Sequence, residues 1–432
     1  LVDLKRDFVW MLSSRTFAIA AGFLAGALIN RALGPSMRGI YAEMQTWIGL
    51  FAVVFGISMD TAIYHFANKS LYGTDDKARF MTILLLSLIY ALSASIALTV
   101  FAVLFPREIS SEASRFLFLL SIVLVATMLV GNLTIFLQSL GNIQYSAIIG
   151  YVQGVSTAGI ISIAYLGKLV DIKLILFSVI IVQMVTLIML FLRFKKDKLL
   201  IGKVSKPLAK GIIMAGLKQH IATIATFIYM RINQLIVFRY CGETNAGIFA
   251  VSLTAAFYLM FIPMTFQMVL YPRVIHAMDE YEITVRSLRL GFYLWGGAVI
   301  LMVIFAKPIL LLYAGIKFLD SISNFRILMV AAWFLPLSSM IAPYYVKAGA
   351  FGLASLLAIL LGIVSISLNI FLVPRYAAMG ASLSTALTCF IGFCVTLIFF
   401  RYLTRKNPLI IFDPDFRAEI VLFRTHFLRN IR

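Results

Sequence analysis

Apolar runs of about 20 residues recur along this chain, separated by short polar connections, and that spacing decides the fold class. A run of this length is what a helix needs to cross roughly 30 Å of hydrocarbon. A membrane barrel would instead show strands of about ten alternating residues. Composition points the same way, with 62% apolar and 13% charged residues. A soluble domain carries about 25% charged residues, so one water-soluble core has no room for this apolar excess. The expected fold is an all-α polytopic membrane protein of about twelve transmembrane helices. The spans read as 8–30, 40–62, 81–105, 116–139, 144–166 and 171–193, then 211–238, 247–270, 290–313, 325–346, 350–372 and 378–400. This divides the chain into an N-terminal six-helix bundle (1–193), a basic cytoplasmic linker (194–210), a C-terminal six-helix bundle (211–400) and a basic amphipathic cytoplasmic tail (401–432).

The formal net charge of +19 invites a nucleic-acid reading, but membrane proteins concentrate Lys and Arg in their cytoplasmic loops. Placing both termini in the cytoplasm puts the richest basic connection, with Lys195, Lys196, Lys198, Lys203, Lys206 and Lys210, on that face. Nucleic acid is therefore not an expected partner. The three cysteines, Cys241 and Cys394 among them, show no metal-ligand spacing and read as small hydrophobes. The first apolar run continues into the bundle and reads as a retained span rather than a cleaved leader. Gly22 and Gly26 give that span a small-xxx-small face for close approach of another helix.

An internal repeat carries more information. Residues 31–42 read RALGPSMRGIYA and residues 239–250 read RYCGETNAGIFA, so that Arg31, Gly34, Gly39, Ile40 and Ala42 recur as Arg239, Gly242, Gly247, Ile248 and Ala250 at a constant offset. Each copy closes an odd-numbered span and opens the next. Six spans separate the copies, an even number, so the two halves insert in parallel. Parallel six-helix repeats build transporters whose halves rock about a central cavity. The glycines permit a tight turn or a close helix contact, a structural role.

Charges within the spans give the candidate site. A charge in hydrocarbon is costly and faces the bundle interior or water. Arg15 in span one, and Lys218, His220 and Arg231 in span seven, are the candidate cavity groups, although Lys218 also has the reach to snorkel to the inner interface. Glu43 and Asp60, near the ends of span two, are candidates for ion coupling or charge pairing. A carrier of organic cations would bury carboxylates centrally. This basic set favours an anion by Coulomb attraction, with phosphate or diphosphate matched to the donor fork of arginine. No Walker loop, HExxH, paired carboxylates or nucleophile–base spacing is present, so no enzyme, cofactor or metal site is expected.

At RALGPSMRGIYAEM the chain resembles the bacterial polysaccharide flippases, the O-antigen and exopolysaccharide transporters of the superfamily that also holds multidrug exporters and the peptidoglycan-precursor flippase. YMRINQLIVFRYCGETNAGIFA (229–250) is similar to that family's seventh-helix segment, with Asn233 where the family often has Asp. Residues 263–272 resemble the end of its eighth helix, and NIFLVPRYAAMGASLSTAL (369–387) the joint of helices eleven and twelve. The resemblance implies two bundles in a V around a cationic cavity. It also implies translocation of an undecaprenyl-diphosphate-linked oligosaccharide across the bacterial cytoplasmic membrane, to the periplasmic leaflet. Arg15, Lys218 and Arg231 would attract the diphosphate. Polysaccharide polymerase or chain-length machinery would be downstream partners, with drive from a proton or sodium gradient or from polymerisation. Asn233 removes a protonatable carboxylate from any coupling scheme that needs one there. A multidrug exporter of the same architecture is the alternative, disfavoured by the lack of buried carboxylates. A glycan polymerase or ligase is disfavoured by the short external connections, and a non-transporting scaffold by the intramembrane basic residues.

Overall fold

The computed structural model describes residues 2–66, 75–276, 280–348 and 350–412. Among these residues nine helices are long and apolar enough to cross a membrane. Three of the nine helical stretches bend at single residues, Gly34, Gly242 and Ala377, where the backbone leaves helical φ/ψ. The nine therefore supply twelve crossings in an all-α fold of two six-span lobes. In the N-lobe these are 2–33, 35–56, Asp76–Leu104, Leu117–Ser139, Ile143–Leu166 and Ile172–Lys196. The C-lobe has 206–241, 243–276, a ninth running from Glu280 to Ile304, Ser321–Lys347, 351–376 and 378–404. They are numbered spans one to twelve below.

Each lobe has its own packed centre. Met44, Trp47, Leu98 and Leu124 join spans two, three and four. Phe80, Phe136 and Phe194 pack together from spans three, four and six. Phe249, Phe325 and Trp295 belong to the main C-lobe core. Side chains such as Ile96, Val103, Ile163, Leu192 and Ile363 are largely exposed. An apolar belt this extensive would be a liability in water and is the face a bilayer covers.

Several boundaries differ from the hydropathy reading, each for a physical reason. Span two starts at Pro35, not 40, because proline suits the first helical turn. It ends at Gly56, where Ile57 and Ser58 take left-handed φ, and Asp60 lies in a separate short helix, Met59–His65. Span nine begins about ten residues early, with the amphipathic turns Glu280–Leu290, and passes through a π-helical turn at Gly291–Trp295. It stops at Ile304, and the apolar stretch beyond it forms a separate helix, Ala306–Ala314. The basic connection between the lobes shortens to 197–205, since helix continues to Lys196 and resumes at Lys206. The amphipathic tail expected from 401 falls mostly on 413–432, outside the described residues; helix runs on to Thr404.

Candidate functional site

The two copies of the repeat meet each other. Gly34 has φ 72° and ψ 179°, and Gly242 has φ 79° and ψ 175°. That region is open essentially to glycine alone, so two chain reversals of one shape lie at one end of the molecule, here termed the kink end. Just beyond them the N-terminal turns of spans two and eight cross. A Cβ on Gly39 would overlap the Glu243 carbonyl oxygen, and a Cβ on Gly247 would overlap that of Pro35. Glu243 and Pro35 are equivalent positions of the two copies, so the contact is its own mirror across a pseudo-two-fold axis. Side chains reinforce it: the Ser36 hydroxyl donates to the Glu243 carboxylate. Arg31 Nη2 donates to the Leu312 carbonyl at 2.8 Å, and Arg239 pairs with Glu108 at 3.6 Å. Each arginine reaches the other lobe's hairpin between its third and fourth spans.

The seam between spans two and seven stays closed toward the opposite, basic end. His220 Nε2 lies 3.0 Å from the Val54 carbonyl oxygen and donates to it in the Nε2–H tautomer. Ser58 donates to Thr223 at 2.8 Å, and a Cβ on Gly216 would overlap the Ile57 carbonyl. The companion seam joins spans one and eight differently. Gly22 faces the Tyr258 ring and Gly26 the Tyr313 ring, so the small-xxx-small face admits tyrosines rather than another helix backbone.

Between these seams lies a cavity of about 260 Å³ lined by Ala42, Gln45, Thr46 and Gly49 of span two, Phe227, Arg231 and Gln234 of span seven, and Ala250, Leu253 and Thr254 of span eight. Its lining contains no carboxylate. Arg231 is solvent-accessible although its Cα is far from either end of the span, which is how a side chain on the wall of an aqueous cleft appears. Its guanidinium lies 5.1 Å from the centre of the Phe257 ring, within cation–π range.

The other candidate residues are not gathered there. Arg15 lies near the middle of the helix 2–33, outside the cavity lining and within electrostatic reach of Tyr64 together with Asp60. Lys218 lines a separate recess of about 690 Å³ with His65, Phe66 and Pro207, between the short helix Met59–His65 and the start of span seven. His220 is committed to the seam. Glu43 is fully buried inside the N-lobe, where its Oε1 accepts from the Ser110 amide at 3.0 Å and from Trp47 Nε1 at 3.1 Å. It has no basic partner among the described residues, so the charge pairing expected of it is replaced by neutral donors. Asn233 also points away from the cleft, donating to Thr385 Oγ1 at 2.6 Å within the C-lobe. Among the described residues no cluster of His, Cys, Asp or Glu has metal-binding geometry.

Sequence reasoning missed Arg38. Hydropathy placed it in an external loop, whereas the helix from Pro35 puts it inside span two, 6% exposed. The signal that finds it is the stripe Arg38, Ala42, Gln45, Gly49, whose helical spacing sets it one turn beyond the cavity lining.

The fold of two six-helix lobes about a polar cleft is similar to that of solved membrane transporters of the MOP superfamily. The lipid II flippase MurJ in an inward closed conformation has a TM-score of 0.69 at 14% identity, covering 98% of this chain and 99% of that one. A multidrug-resistance MATE family transporter of that superfamily, in an outward-facing conformation, gives 0.64 at 15%, covering 93% and 97%. A MOP superfamily transporter from Pyrococcus furiosus, distinguished by reversed polarity of its binding pocket, gives 0.65 at 16%, covering 93% and 97%. At these identities the likeness is one of fold. No family model matches the sequence, and no curated protein matches it either.

Proposed function

We propose that this chain is a flippase that carries an undecaprenyl-diphosphate-linked oligosaccharide, a repeat unit of O-antigen, capsule or exopolysaccharide, from the cytoplasmic to the periplasmic leaflet of a bacterial inner membrane. The observation that supports it is Arg231, accessible on the wall of an inter-lobe cavity whose lining holds no acid. An unneutralised guanidinium in a low-dielectric cleft attracts an anion and repels an organic cation, and its planar donor fork suits a diphosphate. The kink end is the periplasmic gate in this reading, and the Lys198 and Lys203 connection lies in the cytoplasm with both termini.

The cavity of about 260 Å³ is smaller than the roughly 300–1,000 Å³ of a drug-sized pocket. It has space for a diphosphate group and not for the attached oligosaccharide. The sugars therefore pass only when the lobes part, and the polyprenyl tail stays in lipid beside a seam. The MATE likeness supports a second reading as a multidrug exporter, and the acid-free lining speaks against it.

The test is translocation of a lipid-linked oligosaccharide in sealed proteoliposomes, read with an impermeant sugar-modifying probe. Arg231→Ala is expected to lower the rate by roughly tenfold to a hundredfold, the loss of one charge-assisted interaction of about 1.5–3 kcal/mol. Arg231→Lys should retain part of it. A wild-type rate in the folded Arg231→Ala variant would contradict the role of this residue.

A further inference from the structure

Between residues 211 and 230 of span seven, Lys218 is the sole Lys, Arg, Asp or Glu. Among the described residues no carboxylate lies within 4.0 Å of its ammonium, and no hydrogen bond takes it. The recess of about 690 Å³ that it lines has one wall from each lobe. Thr61 and His65 come from one face of the short helix Met59–His65, and the His65 ring stands edge-on to that of Phe66. Pro207, Gly211, Met214 and Lys218 fall at helical spacing on one stripe of span seven. The two helices touch where Gly211 meets the Phe66 ring, and the small side chains of Ala62 and Ala215 leave room beside that contact. In a helix the Cα–Cβ bond tilts toward the N-terminus, so Lys218 reaches back toward the basic end and into the recess.

The recess carries charge of one sign. Its lining holds Lys218 and His65 and no Asp or Glu, while Thr61 and Gln219 add a hydroxyl and an amide that can bond oxygen. An ammonium within an apolar span is costly without a counter-ion, and a phosphate oxygen is the acceptor that suits a lysine set beside neutral donors. One lysine matches the single negative charge of a phosphodiester; a diphosphate would bring more charge than the recess balances. The rest of the lining is apolar, Leu208 and Met214 included. Met214 also begins a stripe, Met214, Leu217 and Ile221, that leads away from the recess along span seven with all three side chains exposed. A free phosphate ion gains nothing from such a stripe, whereas an acyl chain covers it. A basic recess opening onto an apolar stripe fits one molecule that has both parts, a phospholipid.

We propose that this recess seats an anionic glycerophospholipid from the leaflet at the basic end. Its phosphodiester meets Lys218, with Thr61, His65 and Gln219 as further donors, and an acyl chain lies along Met214, Leu217 and Ile221. Because each lobe supplies one wall, the lipid joins the short helix of the N-lobe to span seven of the C-lobe. It adds to the seam already held by Ser58 with Thr223 and His220 with Val54. The recess shares no lining residue with the inter-lobe cavity, and the site does not rest on the proposed function.

The experiment titrates the full chain in detergent with phosphatidylglycerol and, in parallel, with phosphatidylcholine, glycerol 3-phosphate and a short-chain polyprenyl diphosphate. Native mass spectrometry counts the bound lipid and thermal unfolding follows its effect. Wild type is expected to hold one phosphatidylglycerol saturably and to unfold at a higher temperature with it, and to respond to neither phosphatidylcholine nor glycerol 3-phosphate. Lys218→Gln, and Ala215→Leu, which fills the recess, should each weaken that binding about tenfold, the loss of a charge-assisted contact. Lys218→Arg should retain it. Lys210→Gln removes the same charge from the same helix outside the recess, and should bind as wild type does. An equal loss in Lys210→Gln and Lys218→Gln would overturn the site and leave only diffuse attraction to a basic surface. Unchanged binding in Lys218→Gln would overturn it too, as would glycerol 3-phosphate or phosphatidylcholine binding as tightly as phosphatidylglycerol. Lys218-dependent binding of the polyprenyl probe in preference to phosphatidylglycerol would overturn the phospholipid assignment and make the recess a station for cargo. Lys218 is exposed, so its variants keep the fold, and the lysine series decides alone if Ala215→Leu does not fold. A chain that shows this binding yet flips no lipid-linked oligosaccharide would overturn the proposed function and leave the site standing.

Discussion

The two copies of the repeat share a backbone and differ in chemistry. Gly34 and Gly242 turn through nearly the same angles, and Gly39 and Gly247 each receive the other copy's carbonyl. At the same offset, Arg38 of the first copy corresponds to Ala246 of the second, Glu43 to Val251, and Arg231 to Phe23. Backbone geometry is symmetric where the two halves meet at one crossing, since any added atom collides there. The charges are under no such constraint, since in the proposed function a single substrate between the two lobes meets each lobe once. Symmetry therefore marks the crossing, while the charges differ both at the cleft, where Arg231 stands, and inside the N-lobe, where Glu43 is buried.

Substitution at the crossing should disturb this comparison most. Gly39→Ala and Gly247→Ala place a methyl group inside a backbone carbonyl that cannot rotate away, so the lobes cannot close at the kink end. Translocation should fall by up to about a hundredfold in either variant, corresponding to overpacking of up to roughly 3 kcal/mol. Gly297→Ala, which adds a methyl into open space, should leave the rate unchanged. A functional Gly39→Ala beside a dead Gly247→Ala would break the equivalence of the two copies.

The turns sharpen the same point at smaller scale. Gly34→Ala and Gly242→Ala should each cost about 1–3 kcal/mol of backbone strain, and by the same amount in both copies. Midpoints of denaturant unfolding in matched detergent compare them directly. Smaller again is Ser36→Ala, which removes the inter-lobe hydrogen bond to Glu243. Its expected cost is about 1 kcal/mol, seen as a few-fold faster reaction of a cysteine label placed at the kink end. The exposed pair Arg239–Glu108 should matter less than that.

The sequence made the symmetric part legible and hid much of the rest. Twelve spans follow from hydropathy because a bilayer imposes one length on every helix. The repeat could be read because glycines that carry a positive φ or a backbone contact tolerate no replacement. Helix ends were less visible: hydropathy sees the membrane core, while helices such as Glu280–Leu290 extend beyond it on an amphipathic face. That limit is what concealed Arg38. Its neighbours Pro35 and Ser36 look like a loop, and only their position at a helix start puts the arginine inside. Arg231 was legible as a charge within span seven, and so were Lys218 and His220. Spacing along one helix could not say that Lys218 lines another recess and His220 binds a carbonyl across the seam, because those partners lie in span two and the short helix after it. Glu43 was visible only as an acid near the end of span two; its burial depends on a donor, the Ser110 amide, that is distant in sequence.

The sign of the cargo is the claim on which the account turns. In sealed proteoliposomes, wild-type protein would be offered a lipid-linked diphosphate oligosaccharide and a lipophilic organic cation in parallel, each followed across the membrane. Movement of the diphosphate lipid, with none of the cation above protein-free vesicles, is the predicted result. Movement of the cation without the lipid would contradict it and make the chain a multidrug exporter built on the same two lobes.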